Sequence, residues 1–210
     1  MDFHHSSKTK TLRSICVYCG SNAGSLPAYT QAAHAFGAEL ARRDITLVYG
    51  GGNAGMMGAL ADGALSAGGK VIGIIPAALV ERELAHLGLT ELRIVPSMHE
   101  RKVSMANLSD AFVALPGGIG TLEEIFEVFT WTQLGIHAKP CGFLDVEGYY
   151  QPLIAFLESV VDRQFLRPEH LGALIVDTHH DRLLERLAAY EHTGISKWIS
   201  SAAPENPPGT

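Results

Sequence analysis

Three runs of small residues carry the first chemical signal in this sequence: Cys19-Gly20-Ser21-Asn22-Ala23-Gly24, Gly50-Gly51-Gly52-Asn53-Ala54-Gly55 and Pro116-Gly117-Gly118-Ile119-Gly120-Thr121. Each follows a short apolar run and precedes a stretch with helical spacing. Glycine lets the backbone approach a ligand closely, and a helix start offers unpaired N–H groups and partial positive charge to an anion. A phosphate-bearing ligand is the expectation. The alternative, that these glycines only make tight turns, explains one such loop more easily than three. The second run matches G-x-G-x-x-G at Gly50, Gly52 and Gly55, but the next apolar run ends Gly73-Ile74-Ile75-Pro76 without the carboxylate a dinucleotide fold needs there. NAD is therefore set aside. No P-loop exists either, because Gly69-Lys70 is followed by Val71 rather than Ser or Thr.

Charged residues near these turns add reactive groups. Thr121-Leu122-Glu123-Glu124 fits a capping box, in which Glu124 would satisfy an N–H at a helix start; a bound phosphate would instead leave that carboxylate to do chemistry. Spacing alone leaves both open. Met98, Arg101, Met105 and Leu108 share one helical stripe, which puts Arg101 on an apolar face. A buried arginine is costly unless paired, so it either makes a structural ion pair or aims at a phosphate or a glutamate. Lys102 adds positive charge beside it. Cys16-Val17-Tyr18-Cys19 has redox-like spacing, but an odd separation on a strand sends the two thiols to opposite faces, and packing explains them better. The ten histidines show no metal-ligand spacing, so neither a metal nor a cofactor is expected. Phe126, Phe129 and Trp131 read as core, with Thr130 and Trp131 near enough to the third turn to line a base pocket.

The elements that must position these groups follow from the hydrophobic pattern. Seven short apolar runs, at 14–18, 45–49, 71–75, 92–95, 111–115, 141–145 and 174–177, alternate with helix-compatible stretches at 28–42, 56–67, 98–107, 121–134, 149–163 and 180–192. That rhythm predicts an α/β fold, Rossmann-like and doubly wound, with a mainly parallel sheet of about seven strands in a single domain over 13–192. Residues 1–12 and 193–210 are polar or Pro-rich and are expected to be disordered tails. In such sheets ligands bind at the carboxyl ends of strands, where all three glycine runs fall.

Composition bounds the partners. With 210 residues, 47% hydrophobic and net charge −6, the chain can bury a core without disulfides or metal. Sixteen Lys+Arg against 22 Asp+Glu, with no basic run, argues against nucleic acid. No apolar stretch reaches the roughly 20 residues that span a bilayer. Three cysteines and an N-terminus without an apolar core point to a cytoplasmic protein.

The third turn, Pro116-Gly117-Gly118-Ile119-Gly120-Thr121-Leu122-Glu123-Glu124, resembles the PGGxGTxxE motif of the LOG family, the cytokinin riboside 5'-monophosphate phosphoribohydrolases, long mislabelled as lysine decarboxylases. Val17-Tyr18-Cys19-Gly20-Ser21, Tyr49-Gly50-Gly51-Gly52-Asn53, Ser97-Met98-His99-Glu100-Arg101-Lys102 and Thr130-Trp131-Thr132-Gln133-Leu134-Gly135-Ile136-His137 agree with it too. The resemblance implies a Rossmann-like homodimer that hydrolyses the N-glycosidic bond of a nucleoside 5'-monophosphate. It implies Arg101 and Glu124 as the catalytic pair, and Gly117, Gly118, Ile119, Gly120 and Thr121 as the phosphate turn. Glu83, Lys102 and Thr130 would be further nucleotide contacts, with Gly20, Ser21, Gly51, Gly52 and Asn53 lining the site. Alternatives are a carrier of a nucleotide or of molybdenum cofactor, which related folds bind without cleaving, and a general AMP nucleosidase. A lysine decarboxylase would need pyridoxal phosphate on a lysine, and of the six lysines only Lys102 lies beside these motifs.

Overall fold

All seven expected strands form, and they pair in parallel throughout. β1 (Ser14–Tyr18), β2 (Thr46–Tyr49), β3 (Val71–Pro76), β4 (Glu91–Val95), β5 (Ala111–Ala114), β6 (Cys141–Leu144) and β7 (Leu174–Asp177) make one sheet in the order β4-β3-β2-β1-β5-β6-β7. The helices are α1 (Pro27–Arg42), α2 (Gly55–Ser66), α3 (Met98–Leu108), α4 (Ile119–Gln133), α5 (Gln151–Asp162), α6 (Pro168–Gly172) and α7 (His180–Ala188). The computed structural model describes residues 10–80, 84–192 and 194. The expected tails fall outside the described residues apart from 10–12 and 194. Those first three residues join the body of the domain: Leu12 is buried and the Lys10 N–H donates to Ala188 O.

Strand alternation sorts the core into two layers. Ile15, Val17, Leu47, Tyr49 and Val113 face α1, α2 and α7, while Cys16, Tyr18, Val48, Phe112 and Phe143 face α3, α4 and α5. A sheet covered on both faces explains why its strands read as unbroken apolar runs. The same alternation separates Cys16 from Cys19, which sit in different layers. Burial pushes both thiols well up, and the Glu124 carboxylate pushes the same way, so neither is a reactive thiolate. The α1 and α2 backbones touch, since a side chain on Gly37 would overlap Leu60 O and one on Gly63 would overlap His34 O.

Some bounds differ from the pattern: α5 starts at Gln151 rather than 149, and α7 ends at Ala188 rather than 192. α4 starts at Ile119 rather than 121, with Gly118 in extended conformation as its N-cap. Glycine is tolerated at Gly120 because the first turn of a helix has few hydrogen bonds to weaken. α6, one short turn after Pro168, is too brief to leave a periodic signal.

The carboxyl end of β7 holds a charge-paired anchor. Asp177 Oδ1 accepts from Arg182 Nη2 at 2.9 Å and from the His179 N–H at 3.0 Å, and Oδ2 accepts from Arg186 Nη1 at 3.3 Å. Burial alone would raise this carboxyl, but Arg182, the His179 N–H and Arg186 outweigh it and hold it at about 2. A folded-state value below the unfolded one of about 3.9 stabilises the protein above that pH and is lost as pH falls toward 2. Asp177→Asn is expected to cost about 1–2 kcal/mol at neutral pH, discounted for half-exposed arginines, with the gap to wild type narrowing below pH ~4. Urea unfolding at several pH values checks this; a gap independent of pH counts against the ion pairs as its source.

Candidate functional site

Reading outward from β1, the strand numbering runs 1-2-3-4 on one side and 5-6-7 on the other, so the winding direction reverses between β1 and β5. Loops leaving the carboxyl ends of two such neighbours diverge to opposite faces and open a crevice between them. The first and third glycine runs leave those two strands. They are clasped together at the base, where the Gly20 N–H donates to Pro116 O at 3.1 Å and a side chain on Gly117 would overlap Gly20 N and Thr121 Oγ1.

A cavity of about 420 Å³ opens above this clasp, a size suited to a small organic ligand. Gly20 and Ser21 line it from the β1 loop, and Gly117, Gly118, Gly120 and Thr121 from the β5 loop, with Arg101 and Glu124 in the wall. Helices leave the N–H groups of their first turn without internal partners, so Ile119, Gly120 and Thr121 present donors at the α4 start. Space beside Gly118 and Gly120 is open. Glu124 lies one turn beyond Gly120 on the same helix face, and helical side chains lean toward the N-terminus, which tilts its carboxylate over that opening. The capping box is not formed: Gly118 is the cap, and Thr121 is a buried residue inside the first turn. That removes the capping role weighed for Glu124.

Arg101 is buried, 5% exposed, and reaches the cavity from α3. Its Nη2 donates to Gly50 O at 2.9 Å and its Nε to Ile74 O at 3.1 Å, and Nη1 lies 3.7 Å from Met98 Sδ. The guanidinium thereby stitches the carboxyl ends of β2 and β3. Gly50 lacks a side chain where the guanidinium passes; any Cβ would overlap Nη2.

The second glycine run supports the site without lining it. Gly51 O accepts from the His86 N–H, the Asn53 N–H donates to Leu84 O, and Gly52 bridges Ala85. Gly51 needs its left-handed φ of +79° to turn here. Gly51, Gly52 and Asn53 thus hold down the segment after residue 83; Glu83 itself lies outside the described residues. Ile119 is 82% exposed and is not among the residues that line the cavity. Lys102 is not among the residues that line the cavity; its Nζ donates to Glu123 Oε1, itself in the lining, at 2.7 Å and to Glu127 Oε1 at 3.1 Å. Thr130 is exposed, about 15 Å along α4 from Gly120, and donates to Phe126 O. Phe126 and Trp131 pack into the core beside Phe129.

Methionine, leucine and tyrosine side chains also line the cavity, and of them only Met98 belongs to a motif noted in the sequence. Met56, Met57, Leu79 and Met98 make an apolar wall, and Tyr29 and Tyr149 stand beside the glycine turns. The signal for them was available: Met56 and Met57 open the helix after the second run, and Tyr149 follows β6 on the carboxyl side of the sheet. Glu39, His180 and Asp181 gather elsewhere within 4.8 Å of one another, but Arg42 and Arg43 pair with Glu39, and Arg43 also pairs with Asp181.

A family described as possible lysine decarboxylase matches residues 57–187, more than half of the chain. A probable cytokinin riboside 5'-monophosphate phosphoribohydrolase of Oryza sativa subsp. japonica, LOGL6, is 47% identical over 178 residues, 85% of this chain and 71% of that one. The chain belongs to the LOG family. The cytokinin riboside 5'-monophosphate phosphoribohydrolase LOG1 of Arabidopsis thaliana is likewise 47% identical, over 84% of this chain and 83% of its own. Beyond the LOG family, a molybdenum cofactor binding protein from Rippkaea orientalis has the same fold at 22% identity and TM-score 0.63, over 83% of this chain and 94% of that one. The decarboxylase description does not fit this LOG cavity: among the described residues no lysine lines it, and pyridoxal phosphate needs one for its Schiff base.

Proposed function

We propose that this protein is a hydrolase that cleaves the N-glycosidic bond of N6-modified adenine riboside 5'-monophosphates, giving free base and ribose 5-phosphate, with AMP as a further substrate. One observation carries the reading: a single cavity joins the first turn of a helix, the carboxylate of Glu124 with Arg101 in the same wall, and an apolar wall of methionines. Gly117, Gly118, Gly120 and Thr121 anchor the 5'-phosphate, assisted by Gly20 and Ser21. Methionine adapts to irregular apolar groups, so Met57, Met98 and Leu79 suit an N6 substituent.

Cleavage passes through an oxocarbenium-like state at the ribose C1'. Glu124 stabilises that charge and orients a water, whose hydroxyl joins C1' while the base departs with the bonding pair and gains a proton. Arg101 positions Glu124 or contacts the nucleotide, and Lys102, Thr130 and Glu83 are proposed as outer contacts. A homodimer belongs to this reading, favoured by exposed Phe156 and Phe165 on and after α5. So does the cytoplasm, favoured by three free thiols.

The test is to incubate purified protein with isopentenyladenosine monophosphate, AMP and isopentenyladenosine and separate the released bases. Both monophosphates are expected to release base. Anchoring a remote group raises reactivity at C1', so the nucleoside is expected to react at least about 10²-fold more slowly. Equal turnover of monophosphate and nucleoside would sink the anchoring role of the turn.

A further inference from the structure

We infer that the Tyr149 hydroxyl is a positioning group that sets the direction of the Gly118 N–H in the phosphate turn. The inference rests on the proposed anchoring of a 5'-phosphate there. A phosphate site needs N–H groups toward the ligand and carbonyl oxygens away from it. In this turn each carbonyl has a donor of its own. Leu115 O accepts from Tyr150 Oη at 2.6 Å, Pro116 O from the Gly20 N–H at 3.1 Å, Gly117 O from Tyr149 Oη at 2.5 Å and Gly118 O from the Leu122 N–H at 3.2 Å.

The bond to Gly117 O is an exposed one. The peptide it belongs to joins two glycines; Gly117 sits close against Thr121 and Gly20, but nothing packs beside Gly118, so on that side sterics do little to stop the peptide rotating. A trans peptide puts the Gly118 N–H opposite the Gly117 carbonyl. Holding the oxygen therefore aims the donor; releasing it lets the carbonyl turn toward the phosphate. The hydroxyl is itself held in place. The Tyr149 ring stands edge-on to Tyr29 at 5.8 Å and to Tyr150 at 5.0 Å, and the buried Asp145 carboxylate accepts from the Tyr150 N–H at 2.7 Å.

Tyr149→Phe keeps the ring and removes only the hydrogen bond. Binding of ribose 5-phosphate, measured by calorimetry, is expected to weaken about tenfold, the size of one hydrogen bond. The ratio of kcat/KM for isopentenyladenosine monophosphate to that for isopentenyladenosine is expected to fall by the same factor, with the loss in KM. Tyr150→Phe serves as the control, since it frees Leu115 O at the buried end of the turn. It is expected to lower the melting midpoint without weakening ribose 5-phosphate. Unchanged ribose 5-phosphate binding in Tyr149→Phe overturns the inference, as does an equal loss in Tyr150→Phe. If wild type binds ribose 5-phosphate but releases no base, the proposed reaction fails while the binding comparison still decides the role of Tyr149.

Discussion

Glu124→Gln is expected to lower kcat by about 10²–10⁴-fold, the range lost when a positioned proton-transfer group is removed. The substitution keeps the shape of the side chain and removes its charge. A neutral amide neither stabilises an oxocarbenium ion nor takes a proton from water. Ribose 5-phosphate binding should persist, because the phosphate turn lies at the start of α4 and Glu124 one turn further on. The other role considered for this residue, capping the helix, is excluded by the start of α4 at Ile119 with Gly118 as its cap. Steady-state hydrolysis of isopentenyladenosine monophosphate, with circular dichroism to establish that the variant is folded, checks the expectation. Turnover near that of wild type would remove Glu124 from the chemistry.

Arg101→Lys should damage both activity and stability although it conserves charge. The guanidinium bridges two main-chain carbonyls, Gly50 O and Ile74 O, with separate nitrogens. A lysine ammonium is a point donor on a flexible stem and does not reproduce that fork. At least one buried carbonyl loses its donor, at a cost of about 1–3 kcal/mol. For a chain of this size each kcal/mol lowers the melting midpoint by roughly 2–4 °C. Activity is expected to fall about 10²-fold, as when one preorganised donor at a developing charge is lost. That loss should appear in kcat more than in ribose 5-phosphate affinity. A lysine variant with full activity and an unchanged melting midpoint would mean that Arg101 serves neither role.

These two residues mark how far the sequence could be read. The apolar stripe shared with Met98 and Met105 put Arg101 on the inward face of a helix, and it is buried there. Its partners escaped notice because two of them are carbonyl oxygens, which every residue carries and no side-chain pattern reports. Glu124 was ambiguous for a related reason. A carboxylate three residues after a threonine serves a capping box and is equally available for chemistry, and only the true start of the helix separates the two. The helix begins two residues earlier than its apolar periodicity, because Ile119 and Gly120 are helical without facing the core. Lys102 reads as a phosphate contact from its charge and its neighbour; one residue along a helix is a rotation of about 100°, which pairs it with Glu123 at the cavity and with Glu127 beside it.

The local pattern was enough to determine seven strands, every helix but the short α6, and the parallel class. Those properties depend on residues near one another in the chain: period-two and period-3.6 burial, and glycine at turns. Strand order depends on pairings between distant segments, and only the tertiary structure decided it. Its reversal between β1 and β5 selected the first and third glycine runs for the cavity and left the second, at Gly51, Gly52 and Asn53, to tie down a neighbouring segment. The three runs look alike in sequence because each must bring backbone close to something. Whether that something is a ligand or another strand of the same chain is settled by which elements the fold packs against it.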